Sequence, residues 1–264
     1  MLLQRIIVTF TLGPLGLFLI YLGGLYYFVP VFLLLLLGAM EYTQLMKRLK
    51  LRVSPWLFLP LVGVMLVDGQ WPDLSLFAPL TLLAVFLPMC YALWLYERRL
   101  SETVPLDWLA TAGGVLLLGG VGSYFFRVRG VPEFPIQWTM LAMLGTWIAD
   151  SGAFVVGKSM GRHKLSPRLS PNKTVEGYVG GIVLGTLFTV GLSFPLGVAW
   201  LPALVLGLLA SVVSPAGDLG ISLLKREAGV KDSGTFLPGH GGALDRIDSL
   251  IWSVAFAYFV AILL

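Results

Sequence analysis

The chain has 264 residues, 57% of them hydrophobic and only 12% charged, with a formal net charge of +4. A mean hydropathy of +0.88 excludes an ordinary water-soluble domain, and the single cysteine, Cys90, excludes an intrachain disulfide framework. Nucleic acid is excluded as a partner, because no soluble segment remains to carry a groove-reading element.

Runs of about 20 apolar residues are long enough to cross a bilayer as helices. Nine stretches qualify: residues 5–23, 25–46, 55–69, 76–96, 107–126, 136–157, 176–194, 198–224 and 244–264, the third short and the fifth rich in glycine. The pattern predicts an all-α, polytopic integral membrane helix bundle of about nine transmembrane helices with a cytoplasmic N-terminus. The first span has no Ala-x-Ala-type cleavage site beside it and reads as retained. In this orientation every Lys and Arg except Arg127 and Arg129 falls at a cytoplasmic end, as the positive-inside rule requires. The expected location is a cell (inner) membrane, multi-pass, with the polar face and any active site towards the cytoplasm. Such a basic face attracts anionic lipid headgroups and nucleotides by the same Coulomb attraction.

The first two spans are nearly pure hydrocarbon, with a Tyr-rich break at Tyr21–Tyr27 suited to the membrane interface. Glu41, near the inner end of the second span, either contributes to a site or, as the preferred reading, is a helix-end carboxylate close to Lys47 and Arg48. The Asp68–Asp73 connection is acidic and external, and the Glu97–Asp107 linker is a solvated cytoplasmic connection. In the fifth span Gly113, Gly114, Gly119, Gly120 and Gly122 favour close helix packing rather than a nucleotide fingerprint, which would need a preceding strand. Residues 1–130 therefore read as a scaffold of about five helices. Residues 131–264 read as a catalytic region with cytoplasmic loops 158–175 and 225–243.

The sixth span places Asp150 in apolar surroundings, where an ionisable residue is a functional candidate by default. The loop after it carries Lys158, Arg162, Lys164, Arg168 and Lys173. Ser170-Pro171-Asn172-Lys173-Thr174 has the residue types that start helices, so Lys173 in a first helical turn, with Ser170 and Asn172 beside it, would make an anion site. Glu176 either pairs with Lys173 or positions another group. Gly177, Gly180, Gly181 and Gly185 predict tight packing of the seventh span. In the eighth, Pro215 is followed by Asp218, Ser222, Lys225 and Arg226, a polar stripe at helical spacing.

The stretch Ser222–Asp248 concentrates charge between two apolar runs: Lys225, Arg226, Lys231, Asp232, His240, Asp245, Arg246 and Asp248 around the Gly-rich Gly241-Gly242 turn. Asp245 and Asp248, one turn apart, repel each other in a low dielectric unless a cation intervenes. Asp218, Asp245 and Asp248 are therefore expected to converge on Mg²⁺, with ion pairs to Lys225, Arg226 and Arg246 as the competing arrangement. His240 is an acid, a phosphate donor or a structural turn residue. On this reading Asp245→Asn or Asp248→Asn leaves the protein folded but inactive.

Ser222-x-Leu224-Lys225-Arg226, then Lys231-Asp232-x-Gly234, then Leu237-Pro238-Gly239-His240-Gly241-Gly242-x-x-Asp245-Arg246-Ile247-Asp248 closely resembles the signature of the phosphatidate cytidylyltransferases, or CDP-diacylglycerol synthases. The resemblance extends upstream to Asp150, Gly152, Gly161-Arg162, Ser166-Pro167, Ser170-Pro171, Lys173-Thr174 and Glu176-Gly177, with Ala243 smaller than the side chain expected there. It implies attack by the phosphate of phosphatidic acid on the α-phosphorus of CTP, giving CDP-diacylglycerol and pyrophosphate. It also implies dependence on Mg²⁺, a monovalent cation such as K⁺ at the same centre, and a homodimer in the membrane lipid. The rival readings are a CTP-dependent polyprenol or phytol kinase and an anion transporter, although the polar groups gather at one face with no internal repeat, unlike a transporter.

Overall fold

The computed structural model describes residues 13–236 and 241–264. Its helices are α1 (Gly13–Leu22), α2 (Gly24–Arg48), α3 (Pro55–Gln70), α4 (Phe77–Glu97), α5 (Val104–Val115), α6 (Tyr124–Arg127), α7 (Pro135–Met160), α8 (Val175–Leu196), α9 (Trp200–Glu227), α10 (Leu244–Ile247) and α11 (Leu250–Leu263). A two-stranded antiparallel ribbon, β1 (Lys164–Ser166) and β2 (Ser170–Thr174), joins α7 to α8.

Among the described residues, seven helical stretches are long and apolar enough to cross a membrane: Gly24–Arg48, Phe77–Glu97, Val104–Gly130, Pro135–Met160, Val175–Leu196, Trp200–Glu227 and Leu244–Leu263. The protein is a multi-pass helical membrane protein. Of the nine expected spans, the first lies partly outside the described residues, and the third corrects the expectation. Helix α3 has 16 residues, and at about 1.5 Å per residue it falls short of a hydrocarbon core about 30 Å thick. The fifth span is composite, α5 passing through a π-helical turn (Leu116–Val121) into α6.

Two compact units interleave along the chain. The first comprises Gly24–Arg127 with Leu224–Ile247. Thus the described residues of the expected cytoplasmic loop 225–243 group with the N-terminal helices, together with the last turn of α9 and with α10. Gly114 lets α5 approach closely enough for the Tyr42 and Phe58 rings, themselves stacked, to lie against it, and Tyr42 donates its hydroxyl to the carbonyl of Ala110 at 2.8 Å. Buried Asp68 accepts from the Leu76 amide at 2.8 Å and pairs with Arg127, one of the two cations that charge counting left outside. Asp107 is also buried, correcting the picture of a solvated linker: it accepts from the Arg52 amide and the Ser101 and Thr103 hydroxyls.

The second unit contains Val128–Leu223 and Asp248–Leu264. Its centre is an antiparallel pair, α7 and α8, built on small residues four apart on both helices. An added Cβ on Gly181 would lie 2.8 Å from the Ala149 carbonyl, one on Gly177 2.6 Å from the Ala153 carbonyl, and one on Gly157 2.9 Å from Thr174 Oγ1. Without a hydrophobic driving force in lipid, such close backbone approach supplies the attraction between helices. Gly181→Leu is expected to cost about 1–3 kcal/mol through overpacking, read as a lower melting temperature in detergent. Gly191→Leu, with no atom within 4 Å of an added Cβ, leaves melting unchanged.

Candidate active site

In the second unit the polar residues of α7, the ribbon and α9 meet. Lys173 Nζ lies 2.6 Å from Asp218 Oδ2, Ser222 donates to Asp218 Oδ1 at 3.2 Å, and Asp150 on α7 is near enough to interact with the charges of both Lys173 and Asp218. Two carboxylates and one ammonium group thus share a small region at the end of apolar helices.

Lys173 reaches Asp218 from a strand, not from a helix start, which corrects the expectation for Ser170–Thr174. Ribbon pairing of Lys164 with Thr174 and of Ser166 with Ser170 keeps this segment extended. The cap falls to Thr174, whose side chain accepts from the Gly177 amide at 3.1 Å; Asn172 stays exposed. Of the two roles left open for Glu176, the structure shows the second. Its carboxylate accepts from the Arg162 amide at 3.0 Å and the His163 amide at 3.2 Å, and meets His163 Nδ1 at 2.6 Å. Glu176 therefore ties the base of the ribbon to the first turn of α8.

Asp248 belongs to the same unit. Gly217, immediately before Asp218, faces the backbone oxygen of Asp248 and the Trp252 ring so closely that a Cβ there would overlap both. This close approach brings α9 beside the residue that begins the last segment. Asp248 Oδ1 accepts from the Ser249 amide at 2.7 Å.

The first unit holds the Gly-rich loop. Lys225 Nζ lies 2.5 Å from Asp245 Oδ1, both side chains being buried. Asp245 Oδ2 accepts from the Ser233 amide, the Ser233 hydroxyl and the Gly242 amide, each at 2.9 Å. The ion pair expected as the competing arrangement is thus realised for Lys225. Gly241 takes φ +81°, and an added Cβ there would lie 2.6 Å from Asp245 Oδ2 and 3.5 Å from Asp232 Oδ1. Around the loop, Lys231, Asp232, Arg226 and Arg246 are exposed, and Arg226 also donates to the Val230 carbonyl at 3.1 Å. His240 lies outside the described residues.

The sequence reading missed Ser233 and preferred the wrong one of its two readings of Glu41. Glu41 is buried; Oε1 accepts from the Ala243 amide at 2.9 Å, and Oε2 from the Leu244 amide at 2.9 Å and the Ser233 hydroxyl at 2.7 Å. It does not serve as a helix-end partner of Lys47 and Arg48, both of which are exposed. The signal was present, since a carboxylate in an apolar span demands a partner, but nearby cations in sequence offered a misleading one.

Among the described residues no three His, Cys, Asp or Glu side chains are gathered closely enough to hold a metal ion. Mg²⁺ needs fewer, being held through one or two carboxylates together with waters and substrate phosphates. Asp218 and Asp248 lie on segments that meet at the Gly217 contact and are of the right chemical type for that donor set. Asp245 fits it less well, because a carboxylate has about four lone-pair sites and Asp245 already meets the Lys225 ammonium and two backbone amides and shares the Ser233 hydroxyl with Glu41.

The model of the cytidylyltransferase family matches residues 3–264. The chain belongs to the cytidylyltransferase family. It is 35% identical to the phosphatidate cytidylyltransferase of Bacillus subtilis (strain 168), covering 97% of this chain and 96% of that protein. It is 32% identical to the phosphatidate cytidylyltransferase of Synechocystis sp. (strain ATCC 27184 / PCC 6803 / Kazusa), over 99% and 97%, and 33% identical to that of Brucella suis biovar 1 (strain 1330), over 96% and 91%. This cytidylyltransferase is accordingly a nucleotidyl-transferring enzyme built into membrane helices.

The buried Lys225–Asp245 pair generates a test in this cytidylyltransferase. Removing one partner of such a pair strands a charge and costs about 3–5 kcal/mol. Asp245→Asn is therefore expected to lower the melting temperature in detergent, revising the expectation that it leaves folding intact. Adding Lys225→Met should recover much of the loss.

Proposed function

We propose that this protein is a CTP:phosphatidate cytidylyltransferase. A lipid phosphate oxygen attacks the α-phosphorus of CTP, the α–β bridging bond breaks, and CDP-diacylglycerol and pyrophosphate leave. The similarity to phosphatidate cytidylyltransferases over nearly the whole of both chains carries this reading.

The chemistry suits the residues. The nucleophile is already an anion, so no serine or cysteine nucleophile is required. The task is to hold two mutually repelling phosphate groups in line and to stabilise charge on the departing pyrophosphate. Lys225, Arg226, Lys231 and Arg246 are assigned to the phosphates, with Asp232, His240, Gly241 and Gly242 shaping their loop. In the second unit Lys173, held by Asp218 and near Asp150, is assigned to an anionic substrate oxygen; Ser170, Asn172 and Glu176 shape the segment that presents it, and Ser222 orients Asp218.

Asp218, Asp245 and Asp248 are the carboxylates assigned to Mg²⁺. Asp218 and Asp248 support that assignment best, since the lone pairs of Asp245 are already engaged. When bound, Mg²⁺ would neutralise phosphate oxygens and polarise the α-phosphorus. A monovalent cation such as K⁺, a homodimer, and a cell (inner) membrane location with the N-terminus and active site facing the cytoplasm complete the proposal. The charge asymmetry of the loops supports that orientation.

Purified protein in detergent, given CTP, phosphatidic acid and Mg²⁺, is expected to release pyrophosphate and a CDP-lipid. Lipid phosphate plus CDP from an alcohol acceptor would instead identify a lipid kinase, and anion flux into liposomes without CTP consumption would identify a transporter. Asp218→Asn and Asp248→Asn are expected to fold with little change in melting and to lose on the order of 10²-fold or more in kcat. EDTA should abolish turnover and added Mg²⁺ should restore it. Retained turnover in both variants would remove the metal assignment.

A further inference from the structure

We propose that Glu41, on the second helix and some two hundred residues from the signature loop, is a positioning residue for cytidylyl transfer: it sets the shape of the Gly-rich loop and, through Ser233, of Asp245. The proposal rests on the reading of the protein as a phosphatidate cytidylyltransferase.

Three observations carry it. First, the Glu41 carboxylate closes on both ends of the loop at once. It takes the Ser233 hydroxyl at 2.7 Å on the entering side and the amides of Ala243 and Leu244 at 2.9 Å on the leaving side. Second, two glycines of the signature are explained by this carboxylate. A Cβ on Gly234 or on Gly242 would overlap Glu41 carboxylate oxygens, and one on Gly242 would also overlap Ser233 Oγ. The two described ends of the loop are thus moulded around a side chain from another part of the chain. Third, Ser233 Oγ lies 2.7 Å from Glu41 Oε2 and 2.9 Å from Asp245 Oδ2, and one hydroxyl carries one proton. With that proton on the nearer Glu41, Asp245 is left to the Ser233 and Gly242 amides and Lys225. Glu41 thereby decides which donors face Asp245, and does so without touching substrate.

Charge is essential to this role, because only a carboxylate accepts all three donors; a glutamine offers a single acceptor oxygen and adds two donors facing amides. A shift of about 1 Å in a positioned group costs on the order of 10²-fold in rate.

The test compares Glu41→Gln, Glu41→Asp and Tyr42→Phe in purified, folded, full-length protein well below melting. Tyr42→Phe removes a neighbouring buried hydrogen bond of the same helix, to Ala110, and controls for general destabilisation. The expected result is a kcat on CTP and phosphatidic acid reduced by about 30-fold or more in Glu41→Gln, partial rescue in Glu41→Asp, and unchanged kcat in Tyr42→Phe. Ser233→Ala in the Glu41→Gln background should cost no more than the worse single change. Amide hydrogen exchange read at 241–245 provides a measure independent of activity, and should speed up about tenfold in Glu41→Gln.

A kcat in Glu41→Gln within twofold of the parent, or an equal loss in Tyr42→Phe at equal melting temperature, would overturn the proposal. Should the parent make no CDP-lipid, the functional reading fails. Faster exchange at 241–245 in Glu41→Gln would still uphold the loop-setting role in that case, and unchanged exchange would end it.

Discussion

A carboxylate inside an apolar helical bundle stays charged only if donors surround it, because moving it unpaired out of water costs far more than folding can return. Asp245 meets this condition with Lys225 and the Ser233 and Gly242 amides. Glu41 meets it with the Ser233 hydroxyl and the next two amides, Ala243 and Leu244. The loop between α9 and α10 consequently has little freedom at its two ends. Its backbone must bring consecutive amides to two acids, and only glycine fits where those acids press against it.

The second unit obeys the same rule by different means. Its polar groups come from three elements, Asp150 on α7, Lys173 on the ribbon and Asp218 on α9, and the helices that carry them approach closely because their contact faces are glycine and alanine. The ribbon has its own acid, Glu176, which takes two backbone amides and the His163 ring. Each polar segment at the membrane edge is therefore fastened by a carboxylate that receives main-chain N–H groups. Cations are exposed on the same segments, which suits an enzyme acting on phosphates.

Helix periodicity and hydropathy were sufficient to locate the seven long spans to within a few residues. The exceptions have physical causes. Helix α3 is apolar up to Asp68 yet too short to span, and length decides that. Ser170–Thr174 contains helix-starting residues but pairs as a strand, because a backbone partner at Lys164–Ser166 outweighs local preference. Asp107 looks solvent-bound in sequence, yet it is buried and accepts from two hydroxyls of its own linker and from the Arg52 amide of a separate connection.

The amino-acid sequence by itself determined the membrane class, the small-residue face of α8, and the signature residues Lys225, Gly241, Gly242, Asp245 and Asp248. These are local properties, written in runs and intervals along one segment. The tertiary structure alone decided which carboxylate takes which donor: Glu41 with Ser233, Asp245 with Lys225, Asp218 with Lys173, Glu176 with His163. A hydrogen bond depends on distance in space, and positions 41 and 233 become neighbours only when the second helix packs against the loop.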